Sequence, residues 1–434
     1  MLNQLLSRLP LGQAPPEPSS IALLARGMSP LVGRRRASWR ATGCHLAARR
    51  HTAVLLGLMA VMSVTASAGN LRAAEFIPLG FLPGTVGSKA LGVSDDGSIV
   101  AGTTLLPGGG DYQAFRWTEA AGMVGLGTLP GRTTSSITIP SKPVSGDGST
   151  IIGSSGPPQT PEAFIYSVAD GMRGLGGLGY ASSASFDGSV VVGWNISSGA
   201  YRWTESGGMV RLVSLSTAYD VSADGSTVVG HGFNGAVVWT AATGSQNLGV
   251  DGAAMAISSN GKVVAGRRFG SPSTSLQPWR WDESSGVVGL GWLPGTTDND
   301  PPNFVEVRGI NDDGGIIVGS IRSSSQGPVQ AFIWTADSGM QDLQQLLIDE
   351  YGLASSLAGW SLSTARGISA NGRFIVGAGV NPAGAQEGWL VRLESVPEPA
   401  TLILALCGLV GVVCLRGRHR QGPRPKPLVH PVPR

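Results

Sequence analysis

The sequence predicts an all-β chain: a seven-bladed β-propeller with four short antiparallel strands per blade, closed by an N-terminal strand that completes the last blade. Three observations predict it. A ten-residue segment recurs seven times along the 434 residues. Strand-like runs follow every copy. The seventh copy lacks its final run, and a spare run of that type stands ahead of the first. Internal repeats of this length mark repeat architectures, and four short strands in about 40 residues are the size of a propeller blade.

The recurring segment reads VSDDGSIVAG (93–102), VSGDGSTIIG (144–153), ASFDGSVVVG (184–193), VSADGSTVVG (221–230), ISSNGKVVAG (257–266), INDDGGIIVG (310–319) and ISANGRFIVG (368–377). Its centre is a pair: Asp96-Gly97, Asp147-Gly148, Asp187-Gly188, Asp224-Gly225, Asn260-Gly261, Asp313-Gly314 and Asn371-Gly372. Such a pair between β-branched runs is a hairpin signal, and a type I′ turn with positive φ at both central residues is expected. The run after each turn is apolar throughout rather than alternating, which implies a strand buried on both faces. A third strand follows as AFRWT (114–118) and its cognates, with aromatics at alternate positions and so on one face. The fourth is GMVGLGTL (122–129) and its cognates, including GMQDLQQLL in the sixth unit. After GWLVRLES the seventh unit has no such strand. Phe76–Gly84 repeats the pattern of Met123–Gly131 and is expected to supply it, joining the ends and removing exposed sheet edges.

Around this repeat domain, 75–395, the chain has terminal segments. Residues 1–68 form a basic region and an apolar run ending in Ala66-Ser67-Ala68, the pattern of a secretory signal peptide, with Met28 as an alternative start. Residues 69–74 are a linker. Residues 396–420 join a Pro-Glu-Pro motif, an apolar stretch too short for a comfortable span, and a basic cluster. A Pro-rich tail, expected to be disordered, occupies 421–434. The formal charge of +3 belongs to these ends: residues 75–398 hold 16 Lys and Arg against 27 Asp and Glu. An acidic body without a basic stripe argues against nucleic-acid binding. Cys44, Cys407 and Cys414 all lie outside the repeats, so neither an internal disulfide nor a thiolate metal site is expected there.

Two resemblances rest on these residues. Val396-Pro397-Glu398-Pro399, the apolar Thr401–Leu415 and Arg416, Arg418 and Arg420 resemble a PEP-CTERM sorting signal. That implies export in a Gram-negative bacterium, processing by signal peptidase and an exosortase-type enzyme, transient membrane anchoring through the C-terminal segment, and release to the cell surface or extracellular matrix. The repeats resemble the extracellular HAF-repeat family at Gln113-Ala114-Phe115, Glu162-Ala163-Phe164 and Gln330-Ala331-Phe332. The family's strand histidine is absent from every unit, so no role resting on it carries over.

No catalytic constellation, cofactor site or metal site is found. His231, the one histidine of the repeats, reads as a turn residue. The repeated aspartates read as turn chemistry, because Asn replaces Asp at two of the seven positions and an amide cannot serve as acid or base. Asp298-Asn299-Asp300 and Asp312-Asp313 match no calcium-binding loop and read as solvated. The third-strand tryptophans read as packing between blades rather than as sugar-stacking platforms. The function expected is that of a non-enzymatic surface or matrix protein, an adhesin or scaffold. It is expected to contact polysaccharide or another surface protein through the insertions 103–113, 154–161, 270–277, 296–304 and 321–329. The alternatives are a secreted carbohydrate-active hydrolase or lyase with carboxylates in the central pocket, and a passive envelope protein without a specific ligand.

Overall fold

The computed structural model describes residues 73–107, 112–137, 142–269, 277–296, 304–322 and 327–393, all within the compact unit Asn70–Arg434. The leader, the sorting signal with its apolar stretch, the tail, and Asp298, Asn299 and Asp300 lie outside these residues, as do 108–111, 270–276, 297–303 and 323–326 of the expected contact loops. Among the described residues no helix is long and apolar enough to cross a membrane.

The described chain is all-β, its one helix being Leu343–Asp349. Six antiparallel sheets form: five of four strands, and one of seven in which the long strand Gly171–Ala184 is shared by the second and third repeat units. Within a unit the order follows the chain. In the first, Gly87–Val93 pairs with Val100–Leu105, that with Tyr112–Thr118, and that with Gly122–Gly125. The sixth unit departs from expectation. Its fourth strand stops at Asp342, whose side chain caps the helix by accepting from the Gln345 N–H, and Leu343 and Leu347 are buried by the helix.

The expected pairing of the chain ends is present. Ala74–Pro78 lies antiparallel to Gln386–Leu393, with Phe76 opposite Val391. Phe76 is buried edge-on against Trp360, ring centroids 5.0 Å apart. Leu79 and Leu82 continue into the core between the last unit and the first, beside Phe115, Trp117, Val376 and Leu390. The third-strand aromatics pack as expected, with Trp117, Trp203, Trp279 and Trp389 all buried.

The hairpin turns differ from expectation. Glycine alone adopts positive φ in each, from 69° at Gly188 to 74° at Gly261, and none of the Asp or Asn residues does. The turn is longer than type I′. In the first unit the Gly97 N–H donates to the Ser94 carbonyl, and the Ser94 N–H to the Ile99 carbonyl. Asp96 Oδ1 accepts from the Ser94 hydroxyl at 2.6 Å and the Ser98 N–H at 2.9 Å, while Ser94 Oγ accepts from the Ile99 N–H. A side-chain acceptor fixes this turn, so two successive left-handed residues are not needed. Asn260 and Asn371 make the same contacts.

Candidate functional site

Strand direction sorts the residues into two faces. The first strand of each unit, here called the inner strand (Gly87–Val93 in the first), runs towards the Asp/Asn-Gly turn and the second strand runs back. The connections from second to third strand therefore stand opposite the turns. Both ends of the space between the inner strands can then be read from the residues that line it.

At the turn end, residues of all seven units, among them Val93, Lys142, Phe186, Val221, Ser259, Ile310 and Ile368, enclose a cavity of about 30 Å³. That holds a water or two and no larger ligand. The end is tied shut. Lys142 Nζ donates to the Ile257 carbonyl at 2.8 Å and lies 3.6 Å from the Asp220 carboxylate. Asp220 is fully buried, accepting from the Ser183 hydroxyl at 2.6 Å and from the Val221 and Ile257 N–H groups at 2.8 Å. One carboxylate thereby joins the second to the fifth units. Backbone hydrogen bonds run between the turns as well: Asp147 N–H to Phe186, Phe186 N–H to Ala223, Ala223 N–H to Ser259, and Asp312 N–H to Ala370. Asp95 receives the Ala370 N–H on its side chain. Burial raises its pKa above the ordinary value, against the opposing pull of that hydrogen bond and of Lys142.

Further along the inner strands the lining changes character. In six units the ladder skips an inner-strand residue at the same place, Leu91, Ser182, Tyr219, Met255, Arg308 and Arg366, and the fourth and seventh units skip a second, Ser216 and Ser363. A β-bulge of this kind re-aims its side chain out of the strand's alternation. Three of these residues, Tyr219, Arg308 and Arg366, are polar and large, and their charged partners come from their own strand or from a neighbouring unit. Arg308 pairs with Glu306 at 2.6 Å, and Arg366 lies 3.9 Å from the same carboxylate. Arg267 acts on Glu306 and on Tyr219, and Lys89 is held in the field of Arg366. Burial lowers the pKa of Arg366 to about 10, helped by Arg308 and opposed by Glu306. Burial also lowers that of Lys89, with Arg366 adding to it. Glu306 loses ionisation to burial, but Arg308 and Arg366 more than restore it and hold the carboxyl below its ordinary value. Water still reaches the group: the side chains of Arg366, Glu306 and Arg308 are 22%, 18% and 10% exposed.

Aromatic residues also stand on the connection face. Tyr180 and Trp194 stack with centroids 4.7 Å apart, both half-buried. Phe269 meets His231 edge-on at 5.1 Å and lies under the Arg267 guanidinium at 5.6 Å. His231 is thus a strand residue, in Thr227–Gly232, rather than a turn residue; its Nδ1 is 3.1 Å from the Ser216 hydroxyl, and burial lowers its pKa.

Of the residues singled out from sequence, Asp96, Asp147, Asp187, Asp224, Asn260, Asp313 and Asn371 all sit in the turns with their glycines, and the sorting-signal residues lie outside the described chain. The structure brings together instead Lys89, Tyr219, Arg267, Glu306, Arg308 and Arg366, which sequence reasoning passed over. Tyr219, Arg308 and Arg366 share the recurring bulge position, but the residue type there changes from unit to unit, and comparison of copies discards what does not recur. The readable signal was the charge in RRF, VEVRGI and TARGI, set in strands that are otherwise apolar. No group of three or more His, Cys, Asp and Glu side chains among the described residues is placed to hold a metal.

No family model matches the sequence, and no curated protein matches it. Solved structures do. Oligogalacturonate lyase from Vibrio parahaemolyticus is similar at 11% identity, over 76% of this chain and 99% of that one, with a TM-score of 0.48. The β-propeller domain of the Trilobed protease from Pyrococcus furiosus is similar at 11% identity, over 73% and 100%, with a TM-score of 0.44. A prolyl endopeptidase is similar at 11% identity, over 73% and 52%, with a TM-score of 0.43. The expectation of a non-enzymatic chain is corrected here, since enzymes stand among the similar structures. It rested on finding no catalytic pattern in the repeats, whereas the ionisable groups that converge are residue types that do not recur from copy to copy. At this similarity none of these structures lends its activity to the chain.

Proposed function

We propose that the chain is an exported protein of the cell surface or extracellular matrix, folded as a closed seven-bladed propeller, that binds polysaccharide or another surface component and so serves adhesion or scaffolding. The observation that carries the reading is the asymmetry of the two ends of the inner strands. The turn end is sealed by Lys142 and Asp220 around a cavity of about 30 Å³. The connection end keeps water-reached charged side chains and half-buried aromatic pairs. A rigid scaffold with one sealed end offers its other end for recognition. Export and processing rest on the leader and on Val396–Pro399 with its basic cluster; the membrane is touched through the terminal segments alone.

The test is retention of the secreted protein on extracellular polysaccharide from a Gram-negative host that sorts such signals. Retention above that of a secreted control protein is expected. Equal retention sinks the binding function, and unchanged release after Pro397→Ala and Glu398→Ala sinks the sorting route.

A further inference from the structure

We propose that the connection end of the inner strands is an anion site that takes the acidic groups of a charged polysaccharide. The inference rests on the binding function proposed above and narrows its ligand.

Charge balance makes the case. Arg267, Arg308 and Arg366 gather from the fifth, sixth and seventh units around one carboxylate, that of Glu306, and Lys89 of the first unit stands in the field of Arg366. Three positive charges are left over. They stand out against a domain in which acidic residues outnumber basic ones, so they are no extension of a basic surface. An ion pair serving structure alone brings matched charges, and the buried pair of Lys142 and Asp220 does so at the other end. Here like charges are held together in a partly desolvated place, which costs free energy that an incoming anion returns. The donors needed are present. Among the described residues, Arg267 Nε and Arg366 Nε are buried without a hydrogen-bond partner. A planar guanidinium presents paired N–H groups that match a carboxylate or a sulfate ester.

The sugar part of the ligand is argued from the aromatic groups. Phe269, between His231 and Arg267, borders the cluster, and on the same face Tyr180 stacks on Trp194 and Phe233 stands 82% exposed. Aromatic faces, with the polar tips of Tyr180 and Trp194, suit a ligand that alternates C–H faces with hydroxyl and acidic groups. A free inorganic anion would use the arginines and leave these rings idle.

Titration calorimetry on the secreted, processed protein tests this with three oligosaccharides of equal length: a uronate oligomer, a sulfated glucan and the unsulfated glucan. At low salt at least tenfold tighter binding of one acidic oligomer over the neutral one is expected, weakening as salt is raised. Which acidic oligomer binds tighter names the anion. Lys89→Gln combined with Arg366→Gln removes the preference, while Lys262→Gln, an exposed charge on the turn face, leaves it. Glu306→Gln strengthens acidic binding severalfold. Thermal melts of each variant show whether the fold is kept, and Arg366→Lys, which keeps the charge, retains part of the preference. Equal binding of all three oligomers, unaffected by the variants, overturns the anion site and leaves the polysaccharide function standing. Binding of none overturns both. Loss of the preference in the Lys262 variant to the same degree also overturns the site, because general charge would then explain it.

Discussion

Asp96 shows how a residue that looks chemical can be wholly occupied by structure. Partial burial opposes its ionisation, yet the Ser94 hydroxyl and the Ser98 N–H and hydroxyl together hold its pKa below the ordinary 3.8. Asp187 is lowered chiefly by the Ser189 N–H, and Asp224 chiefly by the Ser222 hydroxyl. A carboxyl whose pKa falls on folding stabilises the native state above its unfolded value, and that stability is lost as pH drops through the lower folded value. These turns are therefore expected to weaken below about pH 4. Replacing Asp96, Asp187 and Asp224 together by Asn keeps the acceptor, as Asn260 and Asn371 demonstrate. Each change at pH 6 is expected to stay within about 0.5 kcal/mol, and the drop in melting temperature between pH 6 and pH 3 should shrink. A drop as large as that of the parent protein would show that the turns carry no part of its acid sensitivity. Asp96→Ala deletes the acceptor and is expected to cost about 1 kcal/mol at pH 6.

Among the elements, the second strand best separates what a sequence displays from what it conceals. That the run after each turn would be a buried strand is legible from its apolar residues, and Val100–Leu105 is buried along nearly its whole length. Why each run ends in glycine is not legible, because the reason lies on two other strands. A Cβ at Gly319 would stand 2.0 Å from the Glu306 carbonyl oxygen and 2.7 Å from the Phe332 ring; at Gly102 the same neighbours are the Lys89 carbonyl and Phe115. The third-strand aromatic lies over the glycine, and the inner strand bulges beside it. The bulge then presents Arg308 and Arg366, so the spacing that makes the cluster is a property of three strands at once. Tertiary pairing decides it, and no periodicity within one strand encodes it. Gly319→Ala is expected to cost about 1–3 kcal/mol or more, since backbone rather than a movable side chain is in the way. Gly122→Ala, at φ 65° with open space around it, is expected to cost about 1–2 kcal/mol from conformation alone. Urea denaturation of the two variants compares these directly. If Gly122→Ala proves the costlier, crowding is not what keeps glycine at the strand end.

For the whole molecule the question is whether Ala74–Pro78 closes the array or merely decorates its edge. Closure makes the strand's contacts part of one cooperative structure. Phe76 is buried among Trp360, Trp389 and Val391, all of the last unit, while Leu79 and Leu82 reach the core of the first. The Gly80 N–H donates to Glu387 at 2.9 Å, and Ser88, at the start of the first inner strand, donates to the Gly80 carbonyl and accepts from the Gly388 N–H. One short segment is thus bonded to both ends of the repeat. The ion pairs of Arg392 with Glu75 and Glu119 join the same units, but the two carboxylates are 59% and 71% exposed. Exposed pairs contribute about 0–1 kcal/mol, against about 3–5 kcal/mol for emptying a buried phenyl site, so apolar burial decides the stability of this seam. Phe76→Ala should therefore lower the melting temperature far more than Glu75→Ala, and deleting 75–84 should lower it further. Deletion should also free the strand edge of Gln386–Leu393 to pair with a second molecule, which light scattering reads as association. If the deleted protein melts at the parental temperature and stays monodisperse, the strand is a decoration, and the seven units hold together without being joined at their ends.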